Sequence, residues 1–364
     1  MNRHLLPALI VGSMALSCRS GNDAPSSTVS PPHVEAGTPE PFTLDVLTDA
    51  RIGSNGDAPD FHRAAGPVAL DGGPIAEAKL VVDLRSTCFP FEQWKDDPPP
   101  AGHNWPRSCD AFDRNFEIAL ADPAAPASPA IELIRAITPF GGPLHLEKDV
   151  TDVLNASRGL RELVVTIPSY SDPEGKVSGS NGGWNVSARI EVTPGPAPRD
   201  VRAVVPVVYD DKTPGGAPRS FPFTLPAGTT HARVEYLATG HGGGELDAAC
   251  IGPADEFCRR SHTLTVDGVA IVEKKTLWRT DCKKLCTVTK GGPFGEYCLE
   301  NPCGAQASVR APRANWCPGA ETAPIILEPE QLTTAGEHTI DLTIDKVAEG
   351  GNWKVSIKVF AYGD

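Results

Sequence analysis

Short apolar runs separated by turn residues recur along the first half of the chain. Residues 78–84, 116–120 and 163–167 are rich in branched apolar side chains, and in residues 184–192 every second side chain is apolar. Alternation with a period of two is typical of a β-strand that is buried on one face. Because long amphipathic helical stretches are scarce, the pattern predicts an all-β chain of the sandwich or barrel type.

The pattern resumes after a boundary rich in proline and glycine at residues 194–198. Further apolar runs lie at residues 203–208, 231–237, 263–272, 339–344 and 353–359. A length of 364 residues suits two domains of ordinary size. We therefore predict two antiparallel jelly-roll sandwiches packed side by side, an N-terminal domain over residues 42–194 and a C-terminal domain over residues 195–364.

The N-terminus resembles an export signal. Arg3 and His4 precede an apolar stretch, and Ala-Leu-Ser precedes Cys18, so residues 1–17 are predicted to be a signal peptide. A small-residue site before a cysteine is typical of bacterial lipoproteins, in which Cys18 would become an acylated N-terminus. An ordinary signal peptide with an incidental cysteine is the alternative. Residues 18–41, rich in proline and serine, then form a tether.

Composition narrows the choice of partners and location. The net charge is −13 and no long basic cluster occurs, which argues against binding to nucleic acid. No apolar run beyond the signal segment approaches the ~20 residues needed to span a bilayer. We expect an exported monomer that touches the membrane only through a lipid anchor, at the outer membrane, on the cell surface or in the periplasm.

The cysteine count favours disulfides over metal. Without Cys18, nine of the ten cysteines remain, which fits four disulfides and one thiol in an exported protein. The pairs Cys282/Cys286 and Cys298/Cys303 have loose spacing, and no histidine lies near either pair, so zinc is disfavoured. We expect neither a metal nor another cofactor.

Three segments combine charged, cysteine and aromatic residues where loops are expected. They lie at residues 109–114, 255–262 and 310–319. A carboxylate at a rigid loop end can orient or deprotonate water, and a neighbouring arginine can stabilise a developing oxyanion. Surface ion pairs between disulfide-held loops are the alternative that residue chemistry alone leaves open.

The motifs in these segments resemble those of a known family. Cys-Asp-Ala-Phe-Asp-Arg at residues 109–114 is similar to the Cys-Asp-x-Trp-Asp-Arg motif of the peptide-N-glycosidase F family. Further similar segments follow in the same order at residues 135–140, 149–152, 203–207, 255–263 and 313–319. The resemblance implies two eight-stranded jelly rolls with the site at their interface. It also implies metal-free hydrolysis of the amide that links N-acetylglucosamine to asparagine, with an N-glycoprotein or glycopeptide as substrate.

The resemblance assigns roles to individual residues. Asp113 matches the primary catalytic acid of the family, and Glu256 matches a second acidic residue. Arg114 and Arg313 match arginines that line the site. A carboxylate that only fixes its loop by pairing with Arg114 is the alternative for Asp113.

The sequence departs from the family pattern at substrate-facing positions. Pro168 stands where a third carboxylate is expected, and Glu174, in a nearby insertion rich in glycine and serine, is the alternative acid, although a loop is a poor support for a reacting group. Phe257 replaces a tryptophan that stacks on sugar. Tyr170 falls where another aromatic residue is expected. A catalytically weakened, glycan-binding surface lipoprotein on the same scaffold is therefore the alternative function.

Aromatic residues between Cys88 and Cys109 could replace the sugar-stacking surface that the tryptophan would have supplied. This segment carries Phe89, Phe91, Trp94 and Trp105. Their rings are expected either to stack on pyranose rings or to form the core of the loop, and the sequence leaves both open.

The resemblance also implies a disulfide pattern. The family joins the cysteine before an Asn-Pro pair to the cysteine of its Trp-Cys-Pro segment, which implies Cys282–Cys317, with residues 283–300 as an insertion. The remaining pairs would then be Cys286–Cys298, Cys88–Cys109 and Cys250–Cys258, and Cys303 would be left over.

Overall fold

The computed structural model describes residues 40–70, 72–169, 182–213, 215–244 and 247–364. The predicted signal peptide, Cys18 and nearly all of the tether lie outside the described residues, as does Tyr170.

The N-terminal half of the described chain forms two antiparallel sheets. Its strands are β1 (Phe42–Gly53), β2 (Arg63–Leu70), β3 (Ile75–Ser86), β4 (Asn115–Ala121), β5 (Ile131–Ile137), β6 (Leu144–Asp149), β7 (Gly159–Thr166) and β8 (Gly183–Pro194), with helix α1 (Thr151–Ala156) after β6. One sheet has the strand order β1-β8-β3-β6, and the other contains β5-β4-β7-β2.

The C-terminal half forms a second pair of sheets. Its elements are β9 (Val201–Thr213), β10 (Arg219–Leu225), β11 (His231–Gly242), β12 (Arg260–Val266), β13 (Val269–Leu277), β14 (Val288–Lys290), β15 (Glu296–Cys298), helix α2 (Gln306–Arg310), β16 (Ala320–Glu321), β17 (Ile325–Leu327), β18 (Gly336–Ile344) and β19 (Gly351–Tyr362). The sheet orders are β17-β11-β19-β9 and β10-β18-β12-β13, while β14 and β15 form a separate hairpin. Strand β16 crosses over to pair with β5 of the N-terminal half.

Each pair of sheets encloses its own apolar core. Trp184 and Phe116 are fully buried in the N-terminal core, and Tyr236 and Trp353 are fully buried in the C-terminal core. The predicted alternation holds in β8, where every second residue is buried. The all-β, antiparallel fold class is therefore confirmed, while the jelly-roll description and the domain limits at residues 42–194 and 195–364 stay predictions. No helix among the described residues is long and apolar enough to cross a membrane.

One predicted strand is in fact a hairpin. The apolar run at residues 263–272 contains Asp267 and Gly268, which form the two-residue turn between β12 and β13. Both residues have positive φ, 49° and 80°. An Asp-Gly pair favours this backbone because glycine adopts positive φ without steric cost and aspartate tolerates it.

A buried polar interface joins the two sandwiches. Arg135 of β5 is fully buried, and its guanidinium donates to the Lys354 carbonyl at 2.6 Å and to the Ser356 hydroxyl at 2.9 Å. Glu132 balances its charge at 2.8 Å. The Lys354 ammonium in turn donates to the Glu117 carboxylate of β4. These directional contacts fix how β5 lies against β19, and hence how loops from the two halves meet.

Candidate functional site

The loop before β4 is held in place by its own polar side chains. The buried Asp110 carboxylate accepts Arg114 Nε at 3.0 and 3.2 Å and the Phe112 amide at 3.2 Å. Thr138 Oγ1 accepts the Arg114 amide at 2.8 Å and donates to the Phe112 carbonyl at 3.0 Å. Cys109 adds a disulfide at the start of the loop. The side chain between Phe112 and Arg114 is therefore presented by a rigid support.

A second acidic side chain comes from the C-terminal half. Glu256 lies in the 3₁₀ turn Asp255–Phe257, which precedes the disulfide-bonded Cys258. Its neighbour Asp255 is fully buried and bonds Arg260 at 2.7 Å and the Trp353 indole at 2.7 Å. Asp255 therefore anchors the turn, while Glu256 is the acid that remains for chemistry.

One guanidinium joins the two acids. Arg313 Nη2 lies 3.5 Å from Asp113 Oδ2, and Arg313 Nη1 lies 3.4 Å from Glu256 Oε1. The Asp113 side chain is 20% exposed and the Glu256 side chain 27%, whereas that of Arg313 is 1% exposed. The structure thus brings together three residues that the sequence places 57 to 200 positions apart.

Arg313 is fixed independently of the acids. Its guanidinium carbon lies 4.6 Å from the centre of the Phe257 ring and 4.5 Å from the centre of the Trp316 ring. Its Nη2 donates to the Ser308 carbonyl at 3.0 Å and to the Ser308 hydroxyl at 3.2 Å. Cation–π contacts and these hydrogen bonds hold the cation in position beside both carboxylates.

The environment shifts both acids toward neutrality. Burial raises the pKa of Asp113 to about 7; the Arg313 cation opposes this shift and the Glu256 charge adds to it. Burial also raises the pKa of Glu256, again against the effect of Arg313. A carboxyl with a pKa near the working pH can take up and release a proton, as general base catalysis requires.

Known proteins resemble the C-terminal half of the chain in sequence. Residues 209–362 match the family model for the C-terminal domain of peptide-N-glycosidase F. This part of the chain belongs to the peptide-N-glycosidase F family. The resemblance inferred from the sequence motifs is thereby confirmed. No curated protein matches the chain.

Solved structures of this family share the fold. Peptide-N-glycosidase F, a glycosylasparaginase from Flavobacterium meningosepticum, superposes with a TM-score of 0.64 at 19% identity, covering 88% of this chain and 96% of that one. PNGF-II superposes with a TM-score of 0.66 at 18% identity, covering 89% of this chain. The chain spans only 66% of the length of PNGF-II. At these identities the superpositions establish the fold.

Arg114 differs from the other members of the site. Its guanidinium pairs with Asp110 and lies 4.9 Å from the centre of the Phe112 ring. Although it neighbours Asp113 in sequence, its effect in lowering the Asp113 pKa is the smallest of those identified. Arg114 therefore supports the Asp113 loop, and Arg313 is the cation that lies between the acids.

Most aromatic residues of the Cys88–Cys109 segment form loop core. Phe91 packs edge-on against Tyr297 at 5.1 Å and Phe294 at 5.9 Å, and Trp94 packs against Phe294 at 6.1 Å. Phe89 lies 6.2 Å from Tyr297. These partners belong to the hairpin of β14 and β15 and its turn, which lie within the insertion at residues 283–300.

Trp105 is placed differently. Its ring meets the Phe112 ring edge-on at 5.5 Å, next to Asp113 in sequence. Within the described part of the chain, Trp105 is the one of these four residues whose ring packs against a ring of the acid-bearing loop.

The position expected to carry a third acid is filled by proline. Strand β7 ends at Thr166, and Pro168 follows it before the buried Ser169. Among the described residues, Arg313 forms ion pairs only with Asp113 and Glu256. Among the described residues the site therefore contains two acids where the family motif implied three, and Glu174 lies outside the described residues.

Some supporting residues were not identified from the sequence. Ser308 lies in the short helix α2, where nothing in the local pattern marks it. Thr138 follows β5 in the family-like segment at residues 135–140, but the sequence assigned it no role. Trp316 belongs to the family-like segment at residues 313–319, yet its contact with Arg313 depends on the backbone turn between them. Asn315, within that turn, has a positive φ of 68°.

The structure contains the four disulfides that the resemblance implied. They are Cys88–Cys109, Cys250–Cys258, Cys282–Cys317 and Cys286–Cys298, and Cys303 carries a free thiol. Four disulfides are typical of a protein that matures outside the reducing cytosol.

Proposed function

We propose that this protein is an amidase that hydrolyses the bond between asparagine and N-acetylglucosamine in N-linked glycans. The observation that carries the proposal is the single guanidinium of Arg313 shared by Asp113 and Glu256 where the two sandwiches meet. The family match of residues 209–362 supports it.

In the proposed reaction Asp113 acts as the general base. With a pKa of about 7, its carboxylate can take a proton from water near neutral pH. The resulting hydroxide attacks the side-chain amide carbon, and the Arg313 guanidinium stabilises the oxyanion of the tetrahedral intermediate. The protonated Asp113 then returns its proton to the departing nitrogen, so that cleavage of the carbon–nitrogen bond leaves aspartate in the polypeptide and releases the glycan as a glycosylamine.

Glu256 has a supporting role in this scheme. Its carboxyl, whose pKa burial raises, can form a hydrogen bond with the sugar or with a bridging water. Pro168 supplies no carboxylate, so we expect slower turnover than a three-acid site would give. Phe257 and Trp105 provide aromatic surface near the acids for pyranose rings. Tyr170, proposed for the same task, lies outside the described residues.

A glycan-binding protein without turnover is the second candidate function. Proline at the position of the third acid favours it, because aromatic surface with an incomplete acid set would hold a glycan without cleaving it. Both candidates share the same partner class, an N-glycoprotein or glycopeptide, and neither requires a cofactor.

The deciding experiment incubates the purified mature protein with a denatured N-glycoprotein. We expect released glycan and a mass gain of about 1 Da at the former glycosylation site, because asparagine becomes aspartate. Asp113→Asn should release none. Binding of the glycopeptide by the wild type without any release would reject the amidase in favour of the binding protein.

We further propose that the mature protein is a lipoprotein exposed at the outer membrane, on the cell surface or in the periplasm. The sequence motif before Cys18 supports this location. Mass spectrometry of the mature N-terminus should find acylated Cys18, and an unmodified start at another residue would contradict the proposal.

A further inference from the structure

The free thiol of Cys303 lies against one of the four disulfides. The Sγ atoms of Cys88, Cys109 and Cys303 all lie within 4.8 Å of one another. Cys303 is partly buried and packs into the small apolar cluster formed around that disulfide. Three sulfur atoms at this spacing allow the thiol to reach the disulfide without a large movement of the backbone.

A glycine keeps the approach open. A Cβ atom placed on Gly141 would lie 2.6 Å from Cys88 Cβ, 2.9 Å from Cys303 Sγ and 3.1 Å from Cys88 Sγ. Any larger residue would therefore collide with both cysteines. The backbone of Gly141 also has a φ of +71°, which glycine adopts at little cost. Gly141 therefore lies directly against both Cys88 and Cys303.

The three sulfur atoms lie next to two segments that support the site, the Asp113 loop and the segment leading into helix α2. Cys109 directly precedes Asp110, whose carboxylate holds Arg114 in the Asp113 loop. On the other side, Cys303 lies just before α2, and Ser308 of that helix bonds Arg313. A change in disulfide partner here would alter how the Asp113 loop is anchored relative to Arg313.

We propose that Cys303 is an alternative disulfide partner of Cys88, so that the disulfide that anchors the Asp113 loop can exchange within the folded chain. The Cys303 thiolate attacks Cys88 Sγ, the Cys88–Cys109 bond breaks and a Cys88–Cys303 bond forms. Cys109 leaves as a thiolate and takes up the proton that Cys303 lost. The exchange therefore needs no external oxidant or reductant.

The new isomer ties Cys88 to the C-terminal half and frees the Asp113 loop at Cys109. Burial raises the pKa of the Cys303 thiol to about 12. Because only the thiolate attacks, exchange is slow at neutral pH and speeds up about 10-fold per pH unit below that value. An isomer set during oxidative folding therefore persists, and the inference does not depend on which function the site performs.

The first test removes the present partner. Cys109→Ser, produced as the mature chain and equilibrated in a glutathione redox buffer, should contain a Cys88–Cys303 disulfide on non-reducing peptide mapping. Two free thiols, at Cys88 and Cys303, would overturn the proposal.

The second test uses the wild-type protein, so its result does not depend on whether Cys109→Ser folds. After incubation at pH 9 and alkylation, label should appear at Cys109 as it declines at Cys303, about 100-fold faster than at pH 7. Cys303→Ser, the matched control, should acquire no label at Cys109. Label that stays on Cys303 at every time, or that appears on Cys88 instead, would contradict the assignment.

Discussion

Asp113 and Glu256, contributed by opposite halves of the chain, both approach the Arg313 guanidinium at 3.4 to 3.5 Å. These distances are longer than the ~2.7–2.9 Å of a tight charge-assisted hydrogen bond. The guanidinium is held instead by Ser308 and by the flanking rings of Phe257 and Trp316. Either carboxylate can therefore turn to a water or a substrate without displacing the cation that stabilises developing negative charge.

The first prediction concerns the pH dependence of glycan release. Because the proposed base must be ionised and the pKa of Asp113 is about 7, activity should rise about 10-fold per pH unit below 7 and level off above it. Asp113→Asn should lower kcat by at least ~10²-fold at every pH. Asp45→Asn, an exposed aspartate of β1, is the matched control and should keep the wild-type profile.

The same variant has an expected effect on stability. The pKa of Asp113 is about 7 in the folded protein against a reference value of 3.8, so the folded state binds this proton more tightly than the unfolded state. The stabilisation is complete below about pH 4 and is lost as the pH rises through 7. Asp113→Asn should therefore unfold at an equal or higher urea concentration than the wild type at pH 8. A lower stability of Asp113→Asn at pH 8 would contradict this, because it would show that the folded protein stabilises the ionised Asp113 carboxylate.

The second prediction tests the electrostatic coupling of the three residues. Glu256 raises the pKa of Asp113 and Arg313 lowers it. Glu256→Gln should therefore shift the acid limb of the activity profile to lower pH, and Arg313→Met should shift it to higher pH and reduce kcat by about 10²–10³-fold. Glu273→Gln, an exposed acid of β13, should leave the profile unchanged. Shifts in the same direction for both site variants would contradict the shared-guanidinium arrangement.

The sequence predicts strands well where one face is buried, as in β8, because alternation records that burial directly. It fails at residues 263–272, where apolar residues on both sides of Asp267-Gly268 conceal a turn. An Asp-Gly pair between apolar runs is a known hairpin signal. This pair marks the end of β12 and the start of β13.

The site was predictable only in part, for a physical reason. Asp113, Glu256 and Arg313 came from motifs that resemble a family, since nothing in local pattern shows that positions 57 to 200 residues apart meet. Ser308 gives no local signal because its role depends on where Arg313 lies. The charged residues between the sandwiches also give no local signal. From the sequence alone Arg135 would be placed on the solvent face of its strand, because its burial depends on contact with β19.

The third prediction separates sugar stacking from loop core among the aromatic residues. Trp105 contacts Phe112 beside Asp113, whereas Phe294 packs on Phe91 and Trp94 in the inserted region. Trp105→Ala should raise KM for a glycopeptide by about 5–20-fold with little change in kcat, and Trp105→Phe should restore much of the loss. Phe294→Ala is the control and should leave KM unchanged. Equal effects of the two alanine variants would indicate a general loosening of the loops.

The last prediction concerns the buried pair that helps to join the sandwiches. Glu117 is 1% exposed and Lys354 6% exposed, and the Lys354 ammonium donates to the Glu117 carboxylate. Lys354→Met keeps the apolar stem but removes this cation from a buried carboxylate. We expect the free energy of unfolding to fall by about 3–5 kcal/mol at pH 8, measured by urea denaturation. Lys79→Met, which breaks surface pairs with Glu147 and Glu191, should cost less than about 1 kcal/mol.

The pH dependence of the Lys354→Met variant distinguishes charge burial from lost packing. Without the Lys354 cation, burial should raise the pKa of Glu117 in the folded state above its unfolded value. The destabilisation should then shrink as the pH falls and Glu117 becomes protonated, because a neutral carboxyl is less costly to bury. Adding Glu117→Gln should recover part of the loss at pH 8 for the same reason. If the loss in free energy of unfolding is independent of pH and unaffected by Glu117→Gln, Lys354 stabilises the interface by packing alone.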